Sequence, residues 1–159
     1  MAQTETSEAA IAGVETNDLL HGAVGGLVGG IVFGVMMQMQ MPMIMEGAIP
    51  GMYGLGESLA AGWILHLIHS VIFGLVYVAI ARFEPIRSYA TSMTSGVALG
   101  IGYGLVIWVI AASIIMPAWV GAMMPMMDPP VPDFVPESAL GHAVFGLLLG
   151  AYYGYVGGE

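Results

Sequence analysis

The sequence predicts an all-α polytopic membrane protein, four transmembrane helices packed as a glycine-rich bundle. Of its 159 residues, 58% are apolar and 8% charged, where a water-soluble domain carries about a quarter charged residues. Residues 19–45, 58–81, 88–127 and 138–158 contain no Asp, Glu, Lys or Arg. Each stretch can cross a hydrocarbon core of ~30 Å, which takes about 20 helical residues. Glycines recur at intervals of four inside three of them. A soluble bundle apolar on every side would need further protein to cover its faces, and a chain of this length cannot supply it.

Residues 1–20 hold Glu5, Glu8, Glu15 and Asp18 without a basic residue, so a cleaved secretory signal is excluded and a disordered acidic tail is expected. The membrane domain, residues 21–159, is expected to have spans at about 21–45, 58–81, 91–117 and 138–158. Span one carries Gly22, Gly26, Gly30 and Gly34, and one further turn reaches Gln38. Span two carries Gly62, His66, Ser70 and Gly74 on one face. Arg82 and Arg87, the two basic side chains of the chain, sit in the segment that follows. The positive-inside rule therefore places that segment, and with it both termini, in the cytoplasm of a multi-pass cell-membrane protein. Span three has Gly96, Gly100 and Gly104; span four has Ser138, His142, Gly146, Gly150, Gly154 and Gly158. Small-residue stripes let helix backbones approach closely, which in lipid takes the place of a hydrophobic drive. They also allow self-association or a membrane-protein partner, since one bundle need not bury every stripe.

An internal repeat is also readable. Gly25, Gly29 and Met41-Pro42 recur 75 residues later as Gly100, Gly104 and Met116-Pro117, and residues 72–76 resemble 144–148 at an offset of 72. Two tandem helical hairpins would explain this, as would the chance likeness of apolar spans. Pro42 and Pro117 each remove a backbone donor, so both are expected to bend or end a helix.

Polar side chains within spans are costly unless they face protein or water. From the helical rise, Gln38, His66 and His142 lie roughly 10, 12 and 6 Å below one surface, so one buried polar layer of Gln38, His66, Ser70 and His142 is expected. His69 lies one turn deeper and off the stripe, and His21 falls at the opposite interface. Twelve of the 14 methionines, Met37, Met41 and Met45 among them, gather at the outer ends of spans one and three or in the loops beyond. Thioethers and imidazoles suit soft metals, so His66, His69, His142, Met37, Met41 and Met45 form a candidate copper site. A haem b held between two histidines is the other cofactor reading. Against both stands a purely structural role, with histidines fixing helix register and methionines filling gaps.

Cysteine is absent, which excludes disulfides and thiolate chemistry. A net charge of −9 without lysine excludes nucleic acid as a partner. Glu46, Glu57, Asp128, Asp133 and Glu137 are placed in outer connections as a solvated rim, leaving no acid in a span to pair with a histidine. Enzyme chemistry is thus the less favoured class. The remaining classes are a structural or interaction module and a metal, haem or solute-binding or transport protein.

The glycine-striped first span, Trp63-Ile-Leu-His66-Leu-Ile-His69-Ser70, Gly104-Leu-Val-Ile-Trp108 and Gly141-His142-Ala-Val-Phe-Gly146 together resemble small four-span membrane proteins of unknown function in salt-loving archaea. The likeness covers about residues 20–158 and implies the same four-span fold; the acidic, lysine-free composition suits a halophilic source. Some of those proteins are described as histidine kinases. That activity is not carried over, because no ATP-binding domain and no acidic neighbour for a phosphorylated histidine is readable here.

Overall fold

In a computed structural model, which describes residues 16–157, the protein is all-helical, with four helices long and apolar enough to span a membrane. The tail acids Glu5, Glu8 and Glu15, and Gly158 of the fourth stripe, lie outside the described residues. Helix α1 is Thr16–Gln40, so residues 16–20 belong to the first helix rather than to the tail. It ends earlier than expected, because Pro42 has no N–H to continue the ladder. A π-helical turn, Ile44–Ala48, and a short helix α2, Ile49–Gly51, follow. Helix α3 is Leu59–Ala81, started by Ser58, whose hydroxyl accepts from the Ala61 N–H at 3.2 Å. Helix α4, Ile86–Ala90, lies in the arginine-bearing connection. The third span runs continuously over Met93–Met123 as α5, Met93–Ile107, a π-helical stretch, Trp108–Ile115, and α6, Met116–Met123. Helix α7 is Pro136–Val156.

Glycine contacts define the packing. At Gly74 an added Cβ would meet the Gly22 carbonyl and the Gly26 Cα; at Gly150 it would meet the Gly96 carbonyl and the Gly100 Cα. At Gly26 the contacts would be the Ser70 carbonyl and Gly74 Cα, and at Gly100 the Gly146 carbonyl and Gly150 Cα. Hairpins α1–α3 and α5–α7 are therefore packed alike, backbone against backbone and antiparallel. The equivalences run Gly22 to Gly96 and Gly26 to Gly100 in the first helices, and Ser70 to Gly146 and Gly74 to Gly150 in the second. The sequence offset of 72 for the second helices is thus wrong by one helical turn. Likewise Gly25 and Gly29 do not correspond to Gly100 and Gly104. The Pro42–Pro117 pairing nevertheless stands one residue out of step with the glycines, and the π-helical stretch before Pro117 accounts for it, because π geometry accommodates an extra residue in a helix.

Under this equivalence the two seams that join the hairpins should match, and they do not. Between α1 and α7, Gly25 meets Leu149 and Tyr152, Gly29 meets Phe145, and Phe33 seats on Gly141. The corresponding positions between α5 and α3 are Leu99, Tyr103 and Leu65. Bulk there props the helices apart, and α5 leans on α3 through Tyr103, whose hydroxyl donates to the Phe73 carbonyl at 2.6 Å. The third span accordingly has 22% of its most apolar window buried, against 44% for α7.

Both described chain ends and the arginine connection lie at one end of the bundle, the arginine end. Residues 41–58 and 124–135 form the other, the methionine end. The first of these connections folds onto the bundle: Met45, Ala48, Ile49, Pro50 and Met52 are buried, and the Met45 carbonyl approaches Gly62 so closely that no side chain fits there. Outside, Ile64, Ile68 and Ile72 of α3 and Val106, Ile110 and Ile114 of the third span form exposed apolar ridges. Such surfaces belong in lipid.

Candidate functional site

Where α3 and the third span part, the bundle holds a partly open cavity of about 420 Å³ in its methionine half. Phe33 of α1, Phe73 of α3, Phe145 of α7 and Met116 of α6 contribute apolar wall, and its polar lining is His66, His69, Ser70, Asp133, Ser138 and His142. Towards the arginine end, Tyr77 packs edge-on to Tyr103 (5.1 Å) and to Tyr153 (5.7 Å), closing the bundle below the cavity.

His66 and His142 occupy equivalent positions in the two hairpins, 76 residues apart like Gly74 and Gly150. Both are buried, and both pack against one ring, Phe33, with centroid distances of 5.4 and 4.6 Å. Their hydrogen bonds fix the tautomers, since a carbonyl can only accept. His66 Nε2 donates to the Gly30 carbonyl at 2.9 Å, which leaves Nδ1 as the acceptor of a neutral ring. His142 Nδ1 donates to the Ser138 carbonyl at 2.8 Å, which leaves Nε2. Neither remaining nitrogen has a partner among the described residues. The Ser70 hydroxyl donates to the His66 carbonyl at 2.8 Å, and Gly30 is the residue that makes room for it.

The expected polar layer is divided. Gln38 is half-buried and accepts from the Trp63 indole at 2.8 Å, outside the cavity, while His66, Ser70 and His142 line the cavity. The candidate metal set is divided too. Met37 and Met41 line the cavity with the three histidines, but Met45 is held in the turn beyond Pro42, fully buried and off the helical register of the other two. Among the described residues no three His, Asp or Glu converge closely enough to hold an ion. A haem between His66 and His142 would have to displace Phe33 and break the bond of His66 Nε2 to Gly30, so these residues do not fit that cofactor. His69 is turned to the surface of the bundle, where it bonds the Tyr53 hydroxyl. At the far end of α1, His21 packs edge-on to Tyr152 at 6.2 Å.

Three contributors were not legible in the sequence. Phe33 is one apolar residue among many until α7 brings Gly141 beneath it. Tyr53 lies in a glycine-rich turn, stacks on His69 (5.8 Å) and touches Trp119 (5.2 Å), bridging α3 and α6 across the parted seam. Asp133, expected in the solvated rim, is half-buried and also lines the cavity, its N–H donating to the Ser113 carbonyl at 2.8 Å and tying the loop down. Ser113 lies in the π-helical stretch, where widened geometry frees carbonyls from the regular ladder. The wall is incomplete between His69 and Phe73 on one side and Ile115 and Trp119 on the other; the latter two line the cavity yet are 50% and 38% exposed. The cavity thus reaches the apolar flank of the bundle.

No protein-family model, curated protein sequence or solved structure matches this chain.

Proposed function

We propose that this is a multi-pass membrane protein, with the arginine connection and both termini cytoplasmic, that binds a small lipid-soluble molecule in the cavity of its outer half. The observation that carries the reading is the cavity itself, set between helices that elsewhere touch backbone to backbone. The cavity opens on the apolar flank of the bundle, so a molecule dissolved in the bilayer can enter and fill it. A lipid chain would match the walls but leave the imidazole acceptors unpaired in a medium where that is costly. Side access from the bilayer suits a guest that partitions into lipid.

A purely structural bundle is the second reading, favoured by the bond of His66 to the Gly30 carbonyl, which locks α3 in register against α1. The two separate on one measurement. In nanodiscs, a brominated aromatic probe such as 4-bromotoluene should quench tryptophan fluorescence saturably, through Trp119 at the cavity wall, and Ala112→Phe should abolish the saturable part. Quenching that is linear with probe and identical in the filled variant would refute the binding reading.

A further inference from the structure

Most of the polar groups left free in the cavity lining are hydrogen-bond acceptors. Both buried histidine N–H groups and the Ser70 hydroxyl are already engaged by carbonyls, and the Ser138 hydroxyl lies beside His142 Nδ1 at 3.4 Å. What remains for a guest is three acceptors, His142 Nε2, His66 Nδ1 and the carboxylate of Asp133, and one donor, the Ser138 O–H. The formal charge among the lining residues is negative. Nothing positive answers it, because the chain has no lysine and its two arginines lie beyond the far end of α3. From His69 to Arg82 is 13 helical residues, roughly 20 Å along the axis.

We propose that the cavity selects a lipophilic amine, an apolar body of drug-like size bearing one ammonium group that donates to an acceptor of the lining and is drawn by the charge of Asp133. This rests on the reading of the cavity as a binding site. Each feature of the lining then has a counterpart in the guest. The ammonium supplies donors to nitrogens that are otherwise unpaired and a charge opposite to the carboxylate. Phe33, Phe73, Phe145 and Trp119 belong to the lining, and a desolvated cation is attracted to aromatic rings. A volume of about 420 Å³ lies in the range of small-molecule pockets. Carboxylates and phosphates meet a like charge and find a single free donor, the Ser138 hydroxyl, so they are disfavoured.

Three isosteric probes test this in phosphatidylcholine nanodiscs, with protein-free discs as the partition control: 4-bromophenethylamine, 4-bromophenethyl alcohol and 4-bromophenylacetate, read by saturable tryptophan quenching. The amine is expected to bind about tenfold more tightly than the alcohol, as a charge-assisted bond is stronger than a neutral one, and the carboxylate is expected not to saturate. Asp133→Asn keeps the N–H that bonds Ser113; it should weaken the amine about tenfold and leave the alcohol unchanged. Equal affinities for amine and alcohol, saturable binding of the carboxylate, or an amine affinity indifferent to Asp133→Asn would each overturn the amine proposal while leaving a binding cavity. Absence of saturable quenching by all three probes and by 4-bromotoluene would overturn both.

Discussion

Gly100 and Gly102 lie two residues apart on α5 and face opposite ways, which makes them a matched pair for testing whether glycine contacts hold the bundle. A Cβ at Gly100 would overlap the Gly146 carbonyl and lie 2.9 Å from the Gly150 Cα, whereas one at Gly102 would meet nothing within 4 Å. Both neighbours at Gly100 are backbone, so no side chain can swing aside; α5 and α7 must separate, and every contact along the seam lengthens. Forcing a methyl group into a packed interior costs about 1–3 kcal/mol. At Gly102 the same change meets open space and gains the helix preference of alanine over glycine, roughly 0.5–1 kcal/mol. The helix preference is gained at both positions and cancels, so Gly100→Ala should be less stable than Gly102→Ala by about 1–3 kcal/mol, the packing cost alone. Reversible unfolding in mixed detergent and SDS micelles, followed by tryptophan fluorescence, measures the difference. Equal midpoints for the two variants would refute close backbone packing as the source of stability.

The equivalence of the hairpins predicts that Gly26→Ala destabilises by a similar amount to Gly100→Ala in the same assay, because its Cβ would meet the Ser70 carbonyl as that of Gly100 meets Gly146. Phe33→Ala should cost about 3–5 kcal/mol and also raise the saturable probe capacity, since the ring both fills the space above Gly141 and walls the cavity. Trp63→Phe removes the donor to Gln38 and should cost about 0.6–1.7 kcal/mol, the range for hydrogen bonds between membrane helices, with probe binding unchanged. The chain has no cysteine, so single cysteines report topology directly. Met126→Cys, at a fully exposed position, should label from outside intact cells, Ser88→Cys only after permeabilisation, and Met52→Cys poorly from either side because that residue is buried; labelling of Ser88→Cys from outside would reverse the orientation.

The span number was legible because charge-free stretches of membrane-crossing length have few other uses. Helix pairing within each hairpin was legible as well, since a period of four places Gly22, Gly26, Gly96 and Gly100 on single faces. Register was not: Phe73-Gly74 and Phe145-Gly146 look alike in sequence, yet Gly74 is matched by Gly150, because backbone contacts and not side-chain likeness set the pairing. The polar layer was read from depth and stripe alone, and those two coordinates omit rotation. Gln38 has the expected height but turns to Trp63, while His66 and His142 turn to Phe33. Asp133 was assigned to water because a proline-rich connection carries no periodicity, and its position depends on a carbonyl freed by a π-helical stretch more than 15 residues earlier.

The two seams bear on why both hairpins belong to one polypeptide. A homodimer of a single hairpin has a two-fold axis, so its two joints must be identical, both shut like Gly25–Leu149 or both propped like Tyr103–Phe73. Shut twice, it would have no interior; propped twice, it would lose the contact that holds the halves together. Carrying both hairpins in one chain frees the joints to diverge, and three exchanges of small for large, at positions 65, 99 and 103, suffice to make one a hinge-side weld and the other a doorway.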